Sequence, residues 1–493
     1  MLLVGATWAT SAVGFLSTLL IARVLGPSAL GALGFGFGLV GVLSAVVLPG
    51  FSQAHTKRVA EGRDLGRCLG TMGAIQIVLQ ALMVALFLAA RSWWPGLIPG
   101  GVAPVLLVGL LASQILANLA SVVTGAFVGR EWAVPYAAIM VAGRLVRFAA
   151  TVAVLLVAPD VRWIAVAYAI EGAVELLLGL WVVCVRQGVR LRLPTRESFL
   201  DYWAHARPLL VTTPVGILQD SLDRVLVARW AGLPAAGYYQ VARALWELLG
   251  TINAYPFQLL FARLSQIFVV RSPTSDAEAR RVFVSAVDKL LFLAVPVSFL
   301  LWALRTPIVT WLYGTEFAPA RYALMIFVVA ALAQAALNPY QFVIYALEQH
   351  ARFVPVVLLR LGIYVLSMLV SVSLWGGAGA AAVRLLLVLF PAWVFVRWTR
   401  ELVGVGLQPC TWVYAAGFAL LVAVNEGMHA GLDQAGVPEP VALAAGMLSA
   451  LAIYAAWLRW AHLGLSENLR YARDLLQVRS FAKFLRSGLS REG

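Results

Sequence analysis

Twelve ionisable residues of this 493-residue chain fall inside long apolar stretches, evenly divided by sign. The arginines are Arg144, Arg147, Arg224, Arg243, Arg360 and Arg384; the acids are Glu171, Glu175, Asp220, Asp223, Glu247 and Glu426. A guanidinium offers a rigid planar fork of donors that suits phosphate, and a carboxylate at low dielectric can take up a proton. Anion recognition by the arginines and ion coupling by the acids are the chemistry these residue types allow. Their spacing is helical. Arg144 and Arg147 share one helix face, and Glu171 and Glu175 share another. The alternative use of these four is a structural salt bridge between neighbouring helices. Asp220 with Arg224, and Arg243 with Glu247, are each four residues apart and could pair within their own helix. Arg360 and Arg384 have no acid within reach on their own helix, which makes them the leading anion candidates. Glu426 lies in the penultimate of these apolar stretches.

The elements that must position these groups are membrane spans. The chain is 62% hydrophobic and only 12% charged, whereas soluble domains run near a quarter charged. Its apolar segments are continuous rather than alternating, which predicts helices and argues against a β-barrel. Stretches of about 20 residues, the length that crosses a bilayer, can be read at 3–22, 32–51, 69–90, 103–128, 134–158, 163–185, 206–230, 238–262, 288–312, 321–347, 354–375, 379–398, 411–430 and 440–463. The fold class expected is therefore an all-α polytopic membrane protein of about fourteen transmembrane helices. The first stretch has no basic leader and reads as a retained span rather than a cleaved signal.

Charge distribution gives the orientation. Of the 37 Lys and Arg, 25 fall on one side of the spans, six on the other and six within them. The positive-inside rule then predicts that both termini are cytosolic, in a prokaryotic plasma (inner) membrane. Cys68, Cys184 and Cys410 all fall on that reducing side, too few and too scattered for a disulfide framework or a metal cluster. The formal charge of +14 is mostly cytosolic, next to anionic headgroups, so no nucleic-acid partner is expected. Five histidines (His55, His205, His350, His429 and His462) are dispersed among loops and span ends, and no metal or cofactor is expected. Gly36-Phe37-Gly38-Leu39-Val40-Gly41 matches a dinucleotide fingerprint but lies in a span with no preceding strand. These glycines, with Gly31 and Gly34, are expected to permit close helix packing.

A short internal repeat appears at an offset of 206 residues. Ala22-Arg23-Val24-Leu25-Gly26 aligns with Ala228-Arg229-Trp230-Ala231-Gly232, Gly31 with Gly237, and Gly50-Phe51 with Pro256-Phe257. Six spans separate the copies, so they share one orientation. Such parallel repeats are expected to flank a cavity about a pseudo-two-fold axis along the membrane normal.

The residues of this repeat also carry a family resemblance. The segment Ile21-Ala22-Arg23-Val24-Leu25-Gly26-Pro27 through Gly31 resembles the first loop of Wzx-type polysaccharide flippases, in the multidrug/oligosaccharidyl-lipid/polysaccharide exporter superfamily. Asp223 to Gly232 with Gly237-Tyr238-Tyr239 is similar to that family's helix 7–8 region. Thr306-Pro307-Ile308-Val309-Thr310-Trp311-Leu312-Tyr313-Gly314 with Phe317 resembles its loop after helix 9. Tyr345-Ala346-Leu347-Glu348-Gln349-His350-Ala351-Arg352 resembles its turn after helix 10.

The resemblance implies two six-helix bundles, 1–185 and 206–400, joined by a cytosolic interfacial linker, 186–205. Extra spans at 401–463 and a basic amphipathic tail at 464–493 complete the expected organisation. The implied activity is alternating-access translocation of a polyprenyl-diphosphate-linked oligosaccharide to the outer leaflet, by a monomer rather than an enzyme. Its implied partners are that substrate, membrane lipids and a coupling ion, H+ or Na+. The substrate diphosphate would then meet Arg360, Arg147, Arg224, Arg243, Arg144 or Arg384, with Asp220, Asp223, Glu171, Glu175 and Glu247 as ion-coupling candidates. Two other readings stay open: a multidrug or cation antiporter of the same superfamily, and a polytopic membrane glycosyltransferase. The absence of an acid in helix 1, where many drug-extruding relatives carry one, weighs against the first. Short outer loops with no paired carboxylates weigh against the second.

Overall fold

Fifteen α-helices are seen in the computed structural model, which describes residues 2–460 apart from 48, 49, 94, 95, 97, 208–211, 270, 271, 348, 350 and 351. The basic tail at 464–493 lies outside the described residues, as do His462 and, in the turn after 346, Glu348, His350 and Ala351. In chain order the helices are α1 (Leu2–Val47), α2 (Phe51–Ala60), α3 (Leu65–Trp93), α4 (Pro104–Gly129), α5 (Ala133–Val157) and α6 (Val161–Leu180). They continue as α7 (Arg196–Ala206), α8 (Thr212–Trp230), α9 (Leu233–Ile267), α10 (Pro273–Ala303) and α11 (Arg305–Tyr313). The last four are α12 (Ala320–Ala346), α13 (Phe353–Val403), α14 (Pro409–Gln434) and α15 (Glu439–Trp460).

Ten of these are long and apolar enough to cross a membrane. Two of the ten are double-length. α1 turns at Gly26 (φ 76°, ψ −177°) and α13 at Gly376 (φ 55°, ψ −129°), and each limb exceeds the roughly 20 residues of a single span. The sequence predicts a connecting loop over 23–31, but there is none. Gly26 takes a backbone conformation that only glycine adopts cheaply, and Pro27 begins the next helix with its φ already set. One helix stops and the next starts with nothing between. Counting the limbs separately gives twelve spans. α8 and α9, which carry Asp220, Asp223, Arg224, Arg243 and Glu247, are not among the ten. The protein is an all-α multi-pass membrane protein.

The chain packs as two compact units. The first comprises Met1–Ala244, Val309–Ala323 and Val354–Val383. Here α4 packs along α6, and α1 packs on α5 and α8. Glycines set these approaches. Gly172 lets α6 meet the α4 backbone at Ala117, and Gly109 lets α4 meet Ala165. The linker that follows α6 runs over the start of α3. The Arg192 amide donates to the Gly66 carbonyl at 3.1 Å, and any side chain at Gly66 or Gly70 would overlap the linker carbonyls of Arg190 and Arg192. That docking delivers α7, whose N-terminus is closed by reciprocal bonds between Thr195 and Ser198.

The second unit comprises Leu245–Ile308, Leu324–Phe353 and Arg384–Gly493. In it α14 pairs with α15 and with α10. Glu426 of α14 binds the Arg305 guanidinium through both oxygens, at 2.8 and 2.9 Å, and accepts from the Trp302 indole at 3.1 Å. Tyr414 donates to Asp288 at 3.0 Å. Buried Tyr340 donates to the Gly406 carbonyl and accepts from the Gln408 amide, both at 3.1 Å, fixing the start of α14.

Candidate functional site

α5 and α6 carry charge on facing surfaces. The i, i+3 spacing of Arg144 and Arg147 turns both toward α6, and both reach one carboxylate: Arg144 Nε lies 3.3 Å and Arg147 Nη1 3.0 Å from Glu171. Arg147 is buried, and its guanidinium also lies over the Tyr168 ring, 4.6 Å from the centroid. Glu175, one turn further along α6, folds against Gly143, where a side chain would collide with it. Gly14 brings α1 close to the same group, with Arg147 Nη2 and Arg144 Nη1 as its nearest side-chain neighbours. The two guanidinium groups thus share one acid. Among the described residues, the buried Nε atoms of Arg144 and Arg147 have no hydrogen-bond partner.

A second charged group joins α8 and α9. Asp223 is fully buried and accepts from Tyr239 Oη at 2.5 Å, from Arg243 Nη1 at 3.0 and 3.1 Å, and from the Arg224 amide at 2.8 Å. Arg243 also donates to the Asp220 carbonyl at 2.8 Å. The bridge of Arg243 runs between helices, to Asp223. Helical spacing alone offered only Glu247 of the same helix. Of the remaining sequence candidates, Arg224 and Arg360 are half-buried, Arg384 is buried, and Asp220 and Glu247 are exposed.

Three of the four short motifs of the resemblance, at 21–31, 223–239 and 306–317, converge near the Gly26 kink. Gly31 and Gly237, 206 residues apart, meet there: a side chain at Gly31 would overlap the Leu233 carbonyl, and one at Gly237 would overlap the Pro27 carbonyl. Pro27 and Leu233 are themselves 206 apart, so the contact is reciprocal. Further along the second limb of α1, Gly38 and Gly41 admit Ser221 and Arg224 of α8. Arg23 Nε donates to the Leu312 carbonyl at 2.6 Å and its Nη2 to the Trp311 carbonyl, capping the C-terminal end of α11. Phe15, Tyr313, Phe317 and Tyr238 continue the contact as a chain of rings with centroids 5.8–6.3 Å apart. The contacts these motifs make are close helix packing.

Two polar groups were not assembled from the sequence, in which only charges were weighed within the spans and His55 was read as one of five dispersed histidines. Gln114 donates to Asn118 at 2.8 Å, Asn118 to Gln80 at 3.2 Å, and Gln80 to Gln76 at 2.8 Å, a ladder of amides between α3 and α4. The i, i+4 spacing of 76 with 80, and of 114 with 118, was the available signal. At the end of α4, buried His55 of α2 bridges the Val122 carbonyl (2.9 Å) and Tyr202 Oη of α7 (3.0 Å). Burial lowers its pKa from 6.5 to about 4. No group of histidine, cysteine and acid side chains suited to a metal occurs among the described residues.

Residues 20–321 match the family of polysaccharide biosynthesis proteins. No curated protein matches at the sequence level. The fold is similar to lipid II flippase MurJ in its inward closed conformation, with a TM-score of 0.74 over 94% of this chain and 99% of that one, at 12% identity. It is also similar to a multidrug resistance MATE family transporter of the MOP superfamily in its inward-facing conformation. There the TM-score is 0.66 over 80% of this chain and 94% of that one, at 14% identity. A MOP superfamily transporter from Pyrococcus furiosus aligns with a TM-score of 0.55 over 82% and 95%, at 15% identity. At such identities the likeness establishes a shared fold.

Proposed function

Because the chain belongs to the polysaccharide biosynthesis protein family, we propose that it is a flippase carrying a polyprenyl-diphosphate-linked oligosaccharide from the cytosolic to the outer leaflet. The observation that carries the reading is the pair Arg144 and Arg147. Two guanidinium groups at membrane depth share the carboxylate of Glu171, and among the described residues the buried Nε of Arg147 has no hydrogen-bond partner. A charge at that depth is costly and persists where it has a partner, a wet cavity or a ligand. A diphosphate would supply acceptors in the bidentate geometry that arginine favours. Arg360, Arg224, Arg243 and Arg384 are further candidates along its path.

The positive-inside bias puts the close packing at Gly26, the seal of this proposal, at the outer face of an inner membrane, with both termini cytosolic. With the outer face closed, substrate enters from the cytosol, and rocking of the bundles 1–185 and 206–400 parts Gly31 from Gly237. Neutralising Glu171 or Glu175 with H+ or Na+ would free Arg144 and Arg147 for the anion, which couples ion entry to substrate binding. Asp223, already held by three donors, suits a structural role better than a coupling one.

Reconstitution in liposomes with a fluorescent polyprenyl-diphosphate sugar tests the proposal. Wild-type protein should expose the probe to an external quencher; R144Q/R147Q should not, at equal incorporation, and R147K should recover part of the rate. Transport by the double variant at the wild-type rate would remove this pair from the substrate path. Extrusion of cationic drugs, without movement of the sugar lipid, would favour the antiporter.

A further inference from the structure

Two cavities adjoin where α7 lies across α3, in the first unit. One, of about 480 Å3, runs along α3 past Ala74, Ile75, Val78 and Leu79 and is roofed by Phe199 and Trp203 of α7. The other, of about 540 Å3, is polar and holds Arg63, Arg67, Glu197 and Asp201. Thr71 and Thr195 line both, so the two form one amphipathic groove. Each volume is in the range of small-molecule sites.

The charges of the groove are unequally matched. Arg63 is paired with Asp201 at 2.7 Å, and Arg192 with Asp64 at 3.3 Å. Among the described residues, exposed Arg67 of the polar cavity and exposed Arg196 of the apolar one have no carboxylate partner, and exposed Glu197 of the polar cavity has no basic one, so two arginines stand against one glutamate. The apolar part follows successive turns of a membrane span, with Val78 67% exposed and Trp203 42% exposed. Two free arginines against one free glutamate where the starts of α3 and α7 meet, with an apolar slot continuing along α3, are complementary to one molecule: a phospholipid with a net negative headgroup.

We infer that this groove is a binding site for an anionic phospholipid, its phosphate held by Arg67 and Arg196 and one acyl chain lying between α3 and α7. The basic tail of the same chain, residues 464–493, is repelled by the same arginines and is a poor occupant. The site is independent of the transport reading, since it uses none of the intramembrane charges. Zwitterionic lipid can fill the slot but leaves the arginines without net compensation, so the site discriminates by charge.

Purified full-length protein in neutral detergent, titrated with dioleoyl phosphatidylglycerol or dioleoyl phosphatidylcholine and followed by thermal shift and native mass spectrometry, tests the site. The glycerol lipid should bind more tightly to wild type, and R67Q/R196Q should reduce that preference by about tenfold, as expected for two charge-assisted contacts. Filling the slot with A74F should weaken binding of both lipids. R186Q/R190Q, two exposed arginines outside the groove, should bind as wild type does. An unchanged preference in R67Q/R196Q would overturn the assignment, as would an equal loss in R186Q/R190Q, which would mean a diffuse basic surface. Glycerol phosphate without acyl chains competing as well as the lipid would overturn the acyl slot. A dimer forming on lipid removal would assign the groove to a second copy instead. Melting temperatures without lipid, expected to be equal in all variants, exclude misfolding as the cause.

Discussion

Gly31 and Gly237 hold each other's helix start: each α-carbon presses on the carbonyl of the residue four positions before the other, Leu233 and Pro27 respectively. The offset of 206 maps each contact onto its mate, the reciprocity that a two-fold relation between the repeats would produce. Neither glycine takes an unusual backbone angle. Their role is close approach, not conformational freedom.

That contact makes G31V and G237L informative. The colliding atoms belong to backbone, which cannot swing aside, so either substitution should hold the Gly26 seal open. A cysteine at Gln240 should then become reactive to an impermeant reagent, and transport should fall at least about tenfold, equivalent to ~1.4 kcal/mol of bias against the sealed state. Unchanged labelling and transport would mean that the seal is not a gate.

Removing one member of the Asp223–Arg243 pair leaves the other buried without its counter-charge. D223N and R243M should each destabilise the protein by roughly 3–5 kcal/mol, and D223L/R243M by less than either alone. Thermal unfolding in detergent measures both. An additive double variant would show that the two do not act as a pair.

His55 predicts acid sensitivity. Its neutral ring donates from Nε2 to the Val122 carbonyl and accepts at Nδ1 from Tyr202, and protonation would break the second bond. The folded pKa, about 4, lies below the unfolded value of 6.5, so the unfolded chain binds the extra proton first. Stability is therefore complete above pH 6.5 and falls as pH drops toward 4, by roughly 3 kcal/mol in all. H55Q should flatten that part of the profile. A wild-type melting temperature constant from pH 7 to 4.5 would refute it.

Orientation is testable at two exposed turns. Cysteines at Gly188 and Gly436, in a background lacking Cys68, Cys184 and Cys410, should label oppositely: Gly436 from outside intact cells, Gly188 only after permeabilisation. The reverse pattern would invert the reading of the seal.

The sequence by itself determined which stretches enter the membrane, because length and apolarity decide partition into lipid residue by residue. It also determined the repeat, since identical residues at one offset survive on paper, and it showed which charges share a helix face, since 3.6 residues per turn is a local property. It did not determine which helix each face meets. Arg144 and Arg147 were visible as neighbours, and Glu171 and Glu175 as neighbours, but only packing gave both arginines to Glu171 and laid Glu175 against Gly143. Arg243 had Glu247 one turn away in the chain, but its bond to Asp223 of another helix was not legible there; folding brings α8 and α9 side by side and buries Asp223 where a donor is required. The loop predicted over 23–31 vanished for a related reason: Gly26 and Pro27 together end one helix and begin the next. Only the folded chain shows Gly31 lying against the backbone of Leu233 across the repeat.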